Sequence, residues 1–270
     1  MALGRKKLAG LVAMVVMAVA LSGCLFTTQT GPVETERWTI ELGGAERVTV
    51  DLKMGAGGLT LSGGPDDLAE AAFTYNVADW RPTIDYVVAG DEGELHIEQP
   101  EVKNLGLESY RYEWDVRLND EVPMALDLAL GAGQSEVDVS TLTVNSVDLK
   151  VGMGQVRLDL TGDRDRDVDV TVRGGVGEAT VLLPEDVGVK VIVEGGLGEV
   201  DHRGFAREGD AYVNGAYGTS DATVSVDIEG GIGGVTLKVV EKEGAETSGT
   251  AAPGWKMGGS AGRFETSYSN

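Results

Sequence analysis

SVDLKVGMGQVRLDL (residues 146–160) places Val147, Leu149 and Val151 at every second position, breaks at Gly152-Met153-Gly154, and resumes with Val156, Leu158 and Leu160. Period-two alternation marks a strand with one buried and one wet face. A Gly-x-Gly between two such runs reads as a sharp bend, because glycine admits positive φ and lets neighbouring backbones approach. The same unit recurs at Gly55-Ala56-Gly57, Gly131-Ala132-Gly133, Gly175-Val176-Gly177, Gly196-Leu197-Gly198 and Gly231-Ile232-Gly233. The middle residue is apolar in every copy and reads as a plug filling the corner from inside. After the bend the inward slots hold Leu59 and Leu61; Val137 and Val139; Ala179, Val181 and Leu183; Val235, Leu237 and Val239. The outward slots hold Thr60, Glu136, Asp138, Arg157, Asp159, Thr180, Asp201, Thr236 and Lys238.

Gly131, Gly152, Gly175 and Gly196 follow one another at steps of 21, 23 and 21. Such steps suit stacked rungs about 4.8 Å apart. The expected fold is all-β: an elongated, parallel β-solenoid-like stack of strand–GxG–strand rungs, joined to a more aromatic N-terminal β region. Trp38, Phe73, Tyr75, Trp80, Tyr86, Tyr110, Tyr112 and Trp114 all precede residue 115, and no aromatic follows until Phe205. Gly90-Asp91-Glu92-Gly93 reads as a hairpin turn between two strands. No helix is firmly signalled; residues 66–72 are the one candidate and read equally as turn and strand. The expected division is a signal peptide at 1–23, a tether at 24–36, an N-terminal β region at 37–125, the repeat solenoid at 126–247, and a Gly/Ser-rich tail at 248–270.

The signal peptide is read from a basic start, Arg5, Lys6 and Lys7, followed by an apolar run to Leu21 that is short for a membrane span. Leu21-Ser22-Gly23-Cys24 looks like the lipobox of bacterial lipoproteins, which makes Cys24 the expected lipid-attachment residue. The implied address is the cell envelope, on the extracytoplasmic side of a membrane. Cys24 is the only cysteine, so no disulfide can brace the fold.

The chain has 44 acidic against 22 basic residues and a formal net charge of −22. That balance argues against nucleic acid as a partner and against flat adsorption to anionic lipid, and favours a solvated acidic surface. Glycine pairs invite a phosphate-loop reading, but a dinucleotide fingerprint needs a third glycine three residues on. Those positions hold Thr60, Glu136, Arg157, Thr180, Asp201 and Thr236. Calcium-binding nonapeptides need an aspartate where the doubled copies place Ala179, Val200 and Val235. Asp163, Asp165, Asp167 and Asp169 alternate along one segment, but Arg164 and Arg166 interleave them, so a solvated turn is expected rather than a cation site. His96 and His202 are the only histidines and form no zinc set. Trp80, Tyr110, Tyr112 and Trp114 are expected in the core rather than on a sugar-stacking platform. No catalytic, cofactor or metal residue is expected.

Several separated runs, MGAGGLTLSGG (54–64), AAFTYN (71–76), WRPTIDY (80–86) and EWDVRLNDEVPMALDLALGAG (113–133), resemble the toast-rack family of envelope proteins. GGVGEATVLLP (174–184) and EGGLGEV (194–200) are similar to the C-terminal module of LiaF-like, cell-wall-active-antibiotic response proteins. The resemblance implies an all-β envelope domain and brings no catalytic residues. The leading expectation is a non-catalytic, lipid-anchored scaffold or interaction module with an envelope protein as partner. The alternatives are an accessory lipoprotein in envelope-stress signalling through a membrane sensor, and an adhesin or glycan-binding module.

Overall fold

Five strands are too long to run straight in the space their connections allow. They are β2 (Arg47–Gly63), β7 (Met124–Asp138), β8 (Val144–Asp159), β9 (Val168–Pro184) and β14 (Thr223–Val240) in a computed structural model that describes residues 30–101 and 110–241. A straight β7 would extend about 50 Å at 3.3 Å per residue. Yet β8 starts after residues 139–143 and pairs parallel to β7 from its first residue, Met124 beside Val144. That connection reaches only about 20 Å. The strand must therefore double back, and it does so at Gly131–Gly133. Each long strand is a first arm, a glycine corner and a second arm, with the inner faces of the arms enclosing the core.

The corners lie in register across the stack: Ala56 beside Ala132, Ala132 beside Met153, Met153 beside Val176, and Val176 beside Ile232. Glycine is required here by the neighbouring rung. A Cβ on Gly133 would fall inside the carbonyl of Gly57; the same holds for Gly154 against Gly133, Gly177 against Gly154, and Gly233 against Gly177. The second glycine of these corners also sits at φ of 141° to 151°, a region closed to residues with a side chain.

The apolar middle residue does not plug the corner from inside. Met153 is 59% exposed and Val176 48% exposed. The last inward residue before the first bend is Met54 and the next after it is Leu59. An odd separation means that the alternation slips by one at the bend, and the vertex residue is left pointing out. Both arms otherwise bury the expected slots, among them Leu59, Leu61, Val137, Val181 and Leu237.

The remaining strands close the ends: β1 (Glu34–Ile40), β3 (Ala69–Tyr75), β4 (Thr83–Ala89), β5 (Glu92–Glu98), β6 (Tyr112–Leu118), β10 (Gly188–Leu197), β11 (Val200–Asp201), β12 (Ala206–Glu208) and β13 (Ala211–Val213). All fourteen form one sheet. At the N-terminal end β5 extends the first arm of β2 and β6 extends its second arm, both parallel. Antiparallel β4 then lies outside β5, and β3 followed by β1 outside β6. Of residues 66–72, the first three are a bend and 69–72 already belong to β3, and Gly90-Asp91 is the tip of the β4–β5 hairpin. The aromatic set fills this end. Trp114 and Phe73 meet edge to face at 5.3 Å, and Trp80 meets Tyr112 at 5.7 Å, contacts that add to the stabilisation from burying their area.

The order of rungs differs from the chain order. β14 pairs with β9, and β10 lies beyond it, so the Gly196 corner stacks on Gly231 rather than on Gly175. The paired length accounts for this: β14 matches β9 along both arms, whereas β10 and β11 are interrupted between them and make a shorter terminal rung. β7 runs through residues 125 and 126, and one core cluster runs from Ile40 to Leu237. Likewise β1 begins at Glu34, inside the expected tether, because its backbone pairs with β3. Under the corners of the C-terminal half, Val156, Val172, Ala179 and Val235 leave an apolar pocket of about 80 Å³, where small side chains replace the aromatics of the other end.

Rung-end turns are closed by polar side chains, of which Asn119 and Asn214 are buried and Arg164 half-buried. Asn119 Nδ2 donates to the carbonyls of Pro65, Asp66 and Asp67, and its Oδ1 accepts from the amides of Glu121 and Val122. Asn214 repeats the device on Pro184, Glu185 and Val187. Arg164 does so with its guanidinium, which donates to Leu142 O at 2.7 Å and Val139 O at 2.8 Å.

Two expectations follow from these packings. Gly133→Ala, which drives a methyl into the Gly57 carbonyl, should cost roughly 3 kcal/mol or more. Gly174→Ala, with nothing within 4 Å of its Cβ position, should stay within about 0.5 kcal/mol; urea denaturation of both variants compares them. Asn119→Ala and Asn214→Ala should each cost roughly 2–4 kcal/mol, since each strands several buried polar partners, read as a fall in the urea midpoint.

Candidate functional site

The sequence-derived candidates do not converge on one centre. Cys24 lies outside the described residues. His96 projects from β5 with its side chain 47% exposed, 3.7 Å from Asp51 and 3.9 Å from Glu94. His202 lies at the opposite end of the stack against the Tyr212 ring, 4.5 Å between centroids. In the acidic run, Asp165 pairs with Arg166 at 3.0 Å while Arg164 turns inward to the rung-end carbonyls. Among the described residues no three His, Cys, Asp or Glu side chains gather as a metal site. Trp80, Tyr112 and Trp114 are buried and offer no stacking platform.

What does assemble is a polar groove of about 920 Å³ on the outer face of the second arms. It crosses β1, β3, β6, β2, β7, β8 and β9. Its position follows from the repeat: parallel in-register stacking brings the same outward slot of each rung together. Gln134, Gln155 and Glu178 form one ladder, with Gln134 Nε2 donating to Gln155 Oε1 at 3.1 Å and Gln155 Nε2 donating to Glu178 Oε2 at 3.3 Å. The adjoining ladder holds Thr60, Glu136, Arg157 and Thr180, with Arg157 3.5 Å from Glu136. Gly58, Thr60, Ala72 and Thr74 keep the floor low, and Glu113, Asp115 and Arg37 complete the lining. The chemistry on offer is planar amide, carboxylate and guanidinium hydrogen bonding on a rigid sheet. The lining adds the hydroxyls of Thr35, Thr60, Thr74 and Thr180, a set of donors and acceptors that a polar chain can use.

Sequence reading identified the outward slots Thr60, Glu136, Arg157 and Thr180 but not their union with Arg37 and Thr35 of β1. The distance in sequence from β1 to β9 hides that neighbourhood, and only the placement of β1 outside β3 and β6 creates it.

One wall of the groove is anchored by a small polar cluster. Tyr75 donates its hydroxyl to Glu36 at 2.9 Å, and Arg81 Nε donates to the other oxygen of Glu36 at 2.9 Å. Burial raises the Glu36 carboxyl, but the bonds from Tyr75 and Arg81 outweigh it and leave the group below its ordinary value. Burial, and then the bond to Glu36, push Tyr75 up to about 12.

A bent, in-register sheet with glycine corners defines an all-β, solenoid-like architecture. Residues 29–182 match the family described as the N-terminal domain of toast_rack, DUF2154, and the chain belongs to that toast-rack family. Among solved structures it is similar to a proposed cell-adhesion protein from Clostridium sporogenes ATCC 15579, at 37% identity and a TM-score of 0.73, covering 78% of this chain and 100% of that one. A proposed adhesin from Bacteroides fragilis NCTC 9343 matches at 10% identity and a TM-score of 0.24, over 77% and 97% of the two chains. A proposed lipid-binding protein from Parabacteroides distasonis ATCC 8503 matches at 12% and 0.27, over 78% and 96%. Neither of these two overlays closely enough to bear on function. A comparison with curated proteins yields no match.

The raised Tyr75 gives a signed expectation. Its contribution to stability is complete below the ordinary tyrosine value of about 10 and is lost as pH rises through about 12. Ultraviolet titration should show a tyrosine ionising near 12 that is missing in Tyr75→Phe, and the alkaline loss of stability should be smaller in that variant. The lowered Glu36 acts at the other end: its contribution is present above its ordinary value and lost as pH falls below it.

Proposed function

We propose that this chain is a non-catalytic, adhesin-like module of the cell envelope, tethered by lipid at Cys24 and binding a polar polymer, a glycan chain above all, in the groove of its second arms. The likeness to the Clostridium sporogenes protein carries this reading, since it extends over that whole chain at 37% identity. The groove supports it with ladders of amide, carboxylate and guanidinium groups, the donors and acceptors that hydroxyl-rich ligands use. Its mixed charges, with Glu113, Asp115, Glu136 and Glu178 beside Arg37 and Arg157, disfavour strongly anionic polymers. They favour neutral or amine-bearing ones.

In this reading the groove works by display. Parallel stacking fixes the side chains of successive rungs at strand spacing, so binding orders little of the protein and costs little conformational entropy. Retention of the purified chain on immobilised envelope polysaccharide is the direct test. The double variant Gln155→Ala, Arg157→Ala should lose at least fivefold in retention with an unchanged melting temperature, because both side chains are external. Equal retention of variant and parent would remove the groove from the function, and no retention on any envelope glycan would remove the glycan reading.

A further inference from the structure

The outward-pointing vertices form an apolar ridge along the line of corners. Ala56, Ala132, Met153 and Val176 are consecutive neighbours on it. Among the described residues six large apolar side chains are exposed, and three of them, Val33, Met153 and Val176, lie at this end of the rungs. The arm-closing turns at the other end carry polar caps instead. A concentration of exposed apolar area at one end of a strongly acidic protein marks an interaction surface.

The chain's own course indicates what meets it. β1 runs parallel to the second arms, and its first residue, Glu34, lies beside Tyr75, which lies beside Tyr112. Glu113, next to Tyr112, pairs with Gly58 at the first corner. The chain therefore enters the fold at corner level, with exposed Val33 just outside. From Cys24 to Val33 the chain reaches at most about 30 Å, so a lipid at Cys24 holds the corner end near the bilayer. The cations at this level are gathered in the middle of the stack. Just before the bend, the outward position of successive rungs holds Lys53, Ala129, Lys150 and Arg173, with Glu98 on one side of them and Glu229 and Glu194 on the other. Of the carboxylates that pair with these cations, Asp51 at 2.7 Å from Lys53 and Asp148 at 2.8 Å from Arg173 are set further from the corner, while Glu229, 3.4 Å from Arg173, lies at the same level on the next rung. Gln134, Gln155 and Glu178 flank the other side. Beyond about 8 Å the remaining negative charge is screened at physiological salt.

We propose that the corner ridge rests on the surface of the lipid bilayer that anchors the chain, with Met153 and Val176 entering the headgroup region and Lys53, Lys150 and Arg173 facing lipid phosphates. The proposal rests on the lipid-anchor reading of Cys24. It sets the rungs upright on the membrane, with the asparagine-closed turns pointing away and the groove opening sideways.

The lipidated full-length chain, reconstituted into vesicles of phosphatidylcholine with 30% phosphatidylglycerol, tests this. Cys24 is the only native cysteine, so thiol fluorophores placed by Met153→Cys, Val176→Cys or Asp186→Cys report single positions; Asp186 is at the far end. In floated protein, headgroup-borne quenchers should quench positions 153 and 176 at least twofold more than position 186. A label at Ala132→Cys should lose most of its quenching when Met153→Asp and Val176→Asp are added, with the melting temperature unchanged. Failure to float with the vesicles overturns anchoring and docking together. Flotation with equal quenching at 153, 176 and 186 overturns docking alone. Corner labels that quench one another rather than respond to lipid assign the ridge to a second copy, and overturn docking as well.

Discussion

Every rung depends on one contact: the carbonyl of a corner glycine lying where the next rung's glycine would carry a Cβ. Gly57, Gly133, Gly154, Gly177 and Gly233 form one such chain. The approach is possible because neither residue has a side chain and because φ near 150° is open to glycine alone. A methyl at any link would separate the strands at the bend and break the parallel ladder on both arms. The repeat is therefore a packing requirement between neighbours, propagated rung by rung, as in other stacked folds where each unit contacts only the next.

The same bend sets what the protein shows to its surroundings. An odd number of residues between inward slots lets both arms bury Val and Leu, and it forces the vertex outward. Stacking then multiplies each outward slot into a row: an apolar row at the corner, an amide and carboxylate row on the second arms, a row of mixed charge on the first arms. Buried aliphatic side chains each stabilise by roughly 1.5–3 kcal/mol, so the inward slots hold the rungs together and leave the outward ones free to vary. Ridge and groove are in this sense by-products of one geometry.

The two ends of the stack solve the edge problem differently. At the N-terminal end antiparallel strands widen both arms, and Trp80, Tyr112 and Trp114 fill the enlarged space. At the C-terminal end β12 and β13 cover only the first arm, and the corner pocket is lined by small side chains. Asn119, Arg164 and Asn214 show a second economy, in which one polar side chain satisfies several turn carbonyls that would otherwise be stranded. Nothing in local spacing marks those residues, since an Asn or Arg in a turn is ordinarily solvated.

Alternation around Gly-x-Gly by itself determined the all-β class, the bends, and the inward slots of both arms, because side-chain period and glycine φ are local properties. The likeness of separated runs pointed to the toast-rack family, and residues 29–182 match it. Local pattern did not determine the direction of Met153 and Val176, because the parity slip depends on both arms facing one core. Nor did it determine the place of β14 between β9 and β10, which is decided by how much strand each partner can pair, or the single sheet running through residues 125 and 126. The groove, too, belongs to tertiary structure alone: β1 and β9 meet across it only because the intervening strands lie side by side.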